Sequence, residues 1–151
     1  ARCRAAMLAY YQAHLLDYTR PYPGMEALVE ALSRQGVGLY VVTNKPEAQA
    51  RAIVEALYPG EFAGVAGQRP DKPTKPDPWG IELFLSQGGY RREQCLFVGD
   101  SNVDAQTAAA AGVRCAGVTW GFRSRQELLE AGARWVVDKP EALLELVESE
   151  G

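Results

Sequence analysis

The sequence predicts a doubly wound α/β fold built on a mostly parallel sheet. Two observations carry this. Short continuous apolar runs alternate with segments of helical period along nearly the whole chain. The runs are rich in β-branched residues and apolar throughout, as strands covered on both faces must be. Parallel strands need a crossover between them, and the helical segments supply it.

The elements follow in order. Met7, Leu8, Tyr11, Leu15 and Tyr18 fall at helical spacings, so Arg4 to Leu16 is predicted as an amphipathic helix. Pro21-Tyr22-Pro23-Gly24 stops it. Met25 to Gln35 is a second helix, with Leu28, Val29 and Leu32 on its apolar face and Gly36 as its stop. Val37 to Val42 is a buried strand. Thr43-Asn44-Lys45-Pro46-Glu47 has the composition of a helix start: capping side chains, an early proline and an acid. That helix runs to about Leu57.

Gly64 to Gly67 is a short strand, and the Pro- and Lys-rich stretch Arg69 to Pro78 is an extended loop. Trp79 to Ser86 is a helix closed by Gly88-Gly89. Cys95 to Val98 is a strand that ends at Gly99-Asp100. Val103 to Ala111 is an Ala-rich helix closed by Gly112, and Val113 to Val118 is a strand. Arg125 to Ala131, Trp135 to Val137 and Glu141 to Glu148 complete the chain as helix, strand and helix.

The chain has 151 residues, enough to bury a real core, and a net charge of -3. A weakly acidic chain without a basic stripe argues against a nucleic-acid partner. The apolar runs are too short to cross a bilayer, which argues against a membrane protein. Three cysteines, with no C-x-x-C spacing, predict buried free thiols and a cytoplasmic location rather than disulfides or zinc. No signal peptide is visible, and the opening Ala1-Arg2-Cys3-Arg4 suggests a start inside a larger protein or a processed terminus. His14, the single histidine, is expected on the surface of the first helix, and Trp79 and Trp135 in the core.

Ligands bind at the carboxyl ends of strands in open α/β sheets. Two such ends are unusually polar here. In Gly99-Asp100-Ser101-Asn102-Val103-Asp104, the first helical turn brings Asp104 back toward Asp100. Two adjacent carboxylates repel unless a cation lies between them, and magnesium suits such a pair. The competing reading is a Ser101 cap, with Asp104 complementing the helix dipole. At Val41-Val42-Thr43-Asn44, the polar pair either caps the next helix, with Glu47 closing a capping box around Asn44, or helps hold an anion at its N-terminus. Lys75, between the prolines of its loop, could neutralise a phosphate or a carboxylate, with Lys72 as a competitor. Trp120 follows a strand near this edge and either lines an entrance or simply packs.

Together these pieces resemble the haloacid dehalogenase-like hydrolases, and the likeness covers nearly the whole chain. Val41-Val42-Thr43-Asn44 is similar to the family's second motif, Lys75-Pro76-Asp77-Pro78 to its third, and Gly99-Asp100-Ser101-Asn102-Val103-Asp104 to its fourth. Within the family, Thr43-Asn44-Lys45-Pro46 and Val118-Thr119-Trp120-Gly121-Phe122 look like phosphoglycolate phosphatases.

The resemblance implies a Rossmann-like core and a Mg2+-dependent phosphomonoester hydrolase acting through an aspartyl-phosphate on 2-phosphoglycolate or a similar small molecule. It implies Asp100 as metal ligand, Asp104 on the metal or its waters, Thr43 and the Asn44 backbone on the phosphate, and Lys75 as the neutralising cation. The nucleophile motif Asp-x-Asp-Gly-Thr/Val is absent from the sequence.

By this likeness, residues 1–20 are the remnant of a helical cap and residues 21–151 the hydrolase core, lacking its first, central strand. The chain alone is then expected to be inactive. It is also expected to be poorly stable, because unpaired buried amides cost about 1–3 kcal/mol each against a domain stability of about 5–15 kcal/mol. The alternative is a non-catalytic magnesium- and phosphate-binding protein of the same family. A phosphoacceptor receiver would need an early acidic pair, and a dinucleotide-binding domain a Gly-x-Gly-x-x-Gly; neither is present.

Overall fold

The computed structural model describes residues 3–9, 22–121 and 123–149. Among them, six strands form one sheet: β1 (Ala5–Ala9), β2 (Gly38–Pro46), β3 (Gly64–Gln68), β4 (Cys95–Gly99), β5 (Arg114–Val118) and β6 (Trp135–Val137). Six α-helices connect or follow them: α1 (Met25–Arg34), α2 (Glu47–Leu57), α3 (Trp79–Gly88), α4 (Asn102–Ala111), α5 (Arg125–Glu130) and α6 (Pro140–Ser149). The strand order is β3-β2-β1-β4-β5-β6, and every pairing is parallel.

Strand alternation sorts the core into two layers. Met7, Tyr40, Val42 and Phe97 face α3, α4 and α5, where they meet Ile81, Phe84 and the alanines of α4. Ala6, Leu39, Val98 and Val118 face the other way, against Leu28 and Leu32 of α1 and Leu143 of α6. Val41 and Val65 extend that second layer under Ala50 and Val54 of α2. The near-continuous apolar character of the strands follows from having helices on both faces. The small residues of α4 let it lie close to the sheet, with Ala105, Ala108 and Ala111 all buried.

From Met25 onward, the predicted elements occur in the predicted order. The beginning of the chain differs. Ala5–Ala9 is not part of a helix; it is β1, hydrogen-bonded to β2 on one side and β4 on the other. The rest of the predicted helix, with His14, lies outside the described residues. The central position expected to be missing is therefore filled, and the premise of unpaired edges around it falls. Of the expected cap remnant, Ala5–Ala9 belongs to the core sheet.

The physical reason is register. β1 is an apolar segment whose Ala5, Ala6 and Met7 are all buried. Two neighbouring strands, one on each side, offer it backbone partners that outweigh a helical period shared by only a few residues.

A second difference concerns β2, which continues to Pro46. Thr43 and Asn44 thus belong to the strand, and α2 begins at Glu47 without a side-chain cap. The expected capping box around Asn44 does not form. Glu47 instead accepts from the Gly67 backbone amide at 3.2 Å. All three cysteines are free and buried, as expected. Trp79 and Trp135 are only half-buried; Trp135 carries the guanidinium of Arg134 over its ring at 4.8 Å.

Candidate functional site

Because all strands are parallel, their carboxyl ends share one edge. The chain runs from β1 outward through β2 to β3, then returns to β4 on the other side of β1. The connection therefore switches direction at β1, the position where open α/β sheets form a ligand crevice. Ala9 pairs with Val42, and Leu8 with Val98, so Thr43 and Asp100 flank the end of the central strand. In the sequence, Ala9 is followed by Tyr10-Tyr11-Gln12, with no carboxylate until Asp17.

Asp100 and Asp104 are both buried. Ser101 starts α4 as a capping box: its hydroxyl accepts from the Asp104 amide at 3.2 Å, and the Asp104 carboxylate accepts from the Ser101 amide at 3.2 Å. The same carboxylate oxygen accepts from the Asp100 amide at 3.0 Å. Capping and site-building are thus one interaction: Asp104 fixes the backbone that presents Asp100. Gly99 makes room for it, since a Cβ there would lie 2.3 Å from the Asp104 Cβ.

The other Asp104 oxygen, Oδ1, lies 2.6 Å from Lys75 Nζ. This separates the two candidate lysines. Lys72 instead lies over the Trp79 ring, 5.6 Å from its centroid. Lys75 is held by Asn44 through a reciprocal pair: Asn44 Nδ2 donates to the Lys75 carbonyl at 3.1 Å, and the Lys75 amide donates to Asn44 Oδ1 at 2.8 Å. The second and third sequence patterns are joined here across 31 residues. Thr43 is buried, and its hydroxyl accepts from the Lys45 amide at 3.1 Å. A cleft of about 220 Å³, including its open mouth, is bordered by Thr43, Asn44, Gly67, Lys75 and Trp79.

Two residues at this edge entered the sequence patterns without a role of their own. Lys45 is 5% exposed, a buried cation at the end of β2. The only local signal was its place beside Asn44. Gly121 lies directly against the Asp100 side chain, and nothing in the local sequence announces that contact. Trp120 stacks on Tyr22, with centroids 5.2 Å apart and planes 15° apart.

Among the described residues, the site holds carboxylates and lysines, with neither thiolate nor imidazole. Among the described residues, no group of three or more His, Cys, Asp or Glu gathers. This donor set does not suit zinc. It fits magnesium, which takes one or two carboxylates, keeps several waters and accepts a phosphate oxygen. Asp100 and Asp104 are the two carboxylates at this edge that could hold such an ion, and Asp104 also accepts from Lys75 and from two backbone amides.

Fold and site together define a parallel α/β domain with an acidic strand tip and a Lys–Asp ion pair at its switch point. The sequence model of the haloacid dehalogenase-like hydrolases matches residues 3–118, and the chain belongs to that family. It is 39% identical over 135 residues to a phosphoglycolate phosphatase of Rhodospirillum rubrum, covering 89% of this chain and 56% of that protein. It is 35% identical over 139 residues to one of Pseudomonas putida, covering 91% and 50%.

Among solved structures, a phosphoglycolate phosphatase-like protein of Lactobacillus delbrueckii subsp. bulgaricus superposes with a TM-score of 0.80 at 37% identity, covering 84% of this chain and 53% of that one. A haloacid dehalogenase-like hydrolase of Streptococcus pneumoniae gives 0.75 at 27%, covering 83% and 59%. The chain spans about half the length of the curated relatives it matches. No helix among the described residues is long and apolar enough to cross a membrane.

Proposed function

We propose that this chain is the phosphate- and magnesium-holding part of a phosphomonoesterase, with 2-phosphoglycolate or a similarly small phosphate ester as substrate. The observation that carries the reading is the ion pair of Lys75 with the buried Asp104, 2.6 Å apart, beside Asp100 at the switch point. The relatives' names support the substrate class.

In this reading, Thr43 and the Asn44 backbone hold the phosphate, and Lys75 offsets its negative charge. Asn44 keeps that ammonium in place. Asp100 holds the metal, and Asp104 orients both Lys75 and the Asp100 backbone. When bound, Mg2+ would draw the phosphate toward the carboxylates and polarise it for attack.

The family resemblance supplies the reaction. An aspartate oxygen attacks phosphorus, the ester P–O bond breaks, and a second aspartate protonates the departing alkoxide. Water then cleaves the acyl phosphate, giving up a proton to that second aspartate and restoring the first. Neither aspartate of the Asp-x-Asp motif occurs in this sequence. The 151-residue chain is therefore expected to bind without turnover. Ala5–Ala9 is assigned to the hydrolase core together with the elements from Met25 onward. The buried free thiols are consistent with a reducing cytoplasm.

The test compares the whole gene product containing this chain with the 151-residue chain itself. The whole protein should release phosphate from 2-phosphoglycolate with Mg2+ and stop when the metal is chelated. The chain alone should bind inorganic phosphate and release none. A whole protein that hydrolyses no phosphomonoester would overturn the reading.

A further inference from the structure

We infer that Gly121 is a positioning residue for the Asp100 carboxylate, a backbone wall that holds the proposed metal ligand in a single orientation. The inference rests on the reading of Asp100 as a ligand, but its geometry stands by itself. After β5 the chain crosses the carboxyl edge as Thr119-Trp120-Gly121. A Cβ at Gly121 would lie 2.0 Å from Asp100 Oδ2, 2.6 Å from Cγ and 2.5 Å from Cβ. No carbon approaches that closely, and because the Asp100 Cβ is itself in the way, rotating the carboxylate alone gives no relief. Gly121 is not among the glycines with positive φ, so closeness rather than backbone freedom calls for glycine here.

The loop is braced so that it does not simply retreat. The Thr119 amide donates to the Val137 carbonyl at 3.1 Å, and the Thr119 hydroxyl donates to Asp138 Oδ1 at 2.8 Å. Arg125 holds the other Asp138 oxygen at 2.7 Å. Trp120 is stacked on Tyr22. From the opposite side, Asp104 holds the Asp100 amide. The aspartate is therefore fixed at its backbone by one carboxylate and at its side chain by the Gly121 backbone. A carboxylate set in advance needs no reordering when a cation arrives.

The experiment uses the 151-residue chain with Mn2+ as an electron-paramagnetic probe, beside carbon NMR of the Asp100 carboxyl without metal. Gly121→Ala should weaken Mn2+ binding at least tenfold and move the Asp100 carboxyl resonance. The Asp138 resonance should stay in place. Trp120→Leu, which loosens the loop without adding a Cβ clash, should weaken Mn2+ about threefold, and it serves if Gly121→Ala does not fold.

Unchanged Mn2+ affinity with an unmoved Asp100 resonance in whichever variant folds overturns the inference. If Asp100→Asn binds Mn2+ as well as the parent chain, the metal reading of Asp100 is wrong. The metal-free Asp100 resonance then still decides whether Gly121 positions the side chain.

Discussion

Lys75 Nζ and Asp104 Oδ1 lie 2.6 Å apart, the two side chains only 9% and 2% exposed, joining the Pro-rich loop to the first turn of α4. Removing one member leaves the other charged and dry. Such losses run to about 3–5 kcal/mol. Asp104 would keep its two backbone donors, so Lys75→Met should cost about 3 kcal/mol, at the lower end of that range. Urea denaturation measures it. Phosphate affinity should fall at least tenfold in the same variant, and an unchanged affinity would remove Lys75 from the anion site.

Asn44 acts on the same lysine through the backbone. Asn44→Ala deletes both halves of the reciprocal pair. The expected loss is about 1–2 kcal/mol, from two neutral hydrogen bonds in a part-buried setting. Amide exchange at Lys75 should accelerate in native buffer while exchange in β4 stays slow. Equal acceleration everywhere would mean that Asn44 supports the fold rather than the loop.

Met7 tests the central strand. It is fully buried between β2 and β4. Met7→Ala should therefore destabilise the chain by about 2–5 kcal/mol. A loss within about 0.5 kcal/mol, as at an exposed site, would contradict its burial at the centre of the sheet. Thermal or urea unfolding separates the two.

The thiols give a pH dependence with a definite sign. Burial pushes Cys95 up to about 12, with the nearby Cys3 adding to it. Burial also pushes Cys115 up to about 12, and the charge of Asp104 adds to that. In each case the folded pKa exceeds the unfolded value of 9.0, so the folded state favours the neutral thiol. Their contribution to stability is complete below pH 9 and declines as the pH rises toward 12. Native protein at pH 8 should resist alkylation at both cysteines and react only after unfolding. Rapid labelling of either in the folded state would contradict their burial.

Much of this molecule was legible from residue order alone. The apolar runs at Val37 to Val42 and Cys95 to Val98 became β2 and β4, because buried parallel strands can hardly be written otherwise. Asp104 could be set near Asp100 because one helical turn returns the fourth residue to the same side, and its carboxylate accepts from the Asp100 amide. The family likeness rested on the same local strings.

What the sequence could not settle lies between distant residues. Lys72 and Lys75 share one loop and one composition; the partner waiting on α4 tells them apart. Asn44 looked like a cap and became a clamp, because its acceptor and donor stand on a loop 31 residues away. Ala5–Ala9 carried a helical period and became the central strand, because its hydrogen-bond partners come from β2 and β4. Gly121 is simply a glycine until the Asp100 side chain stands against it. Local periodicity determined which elements form. Only packing, which brings together groups that no short window contains, decided what each polar side chain meets.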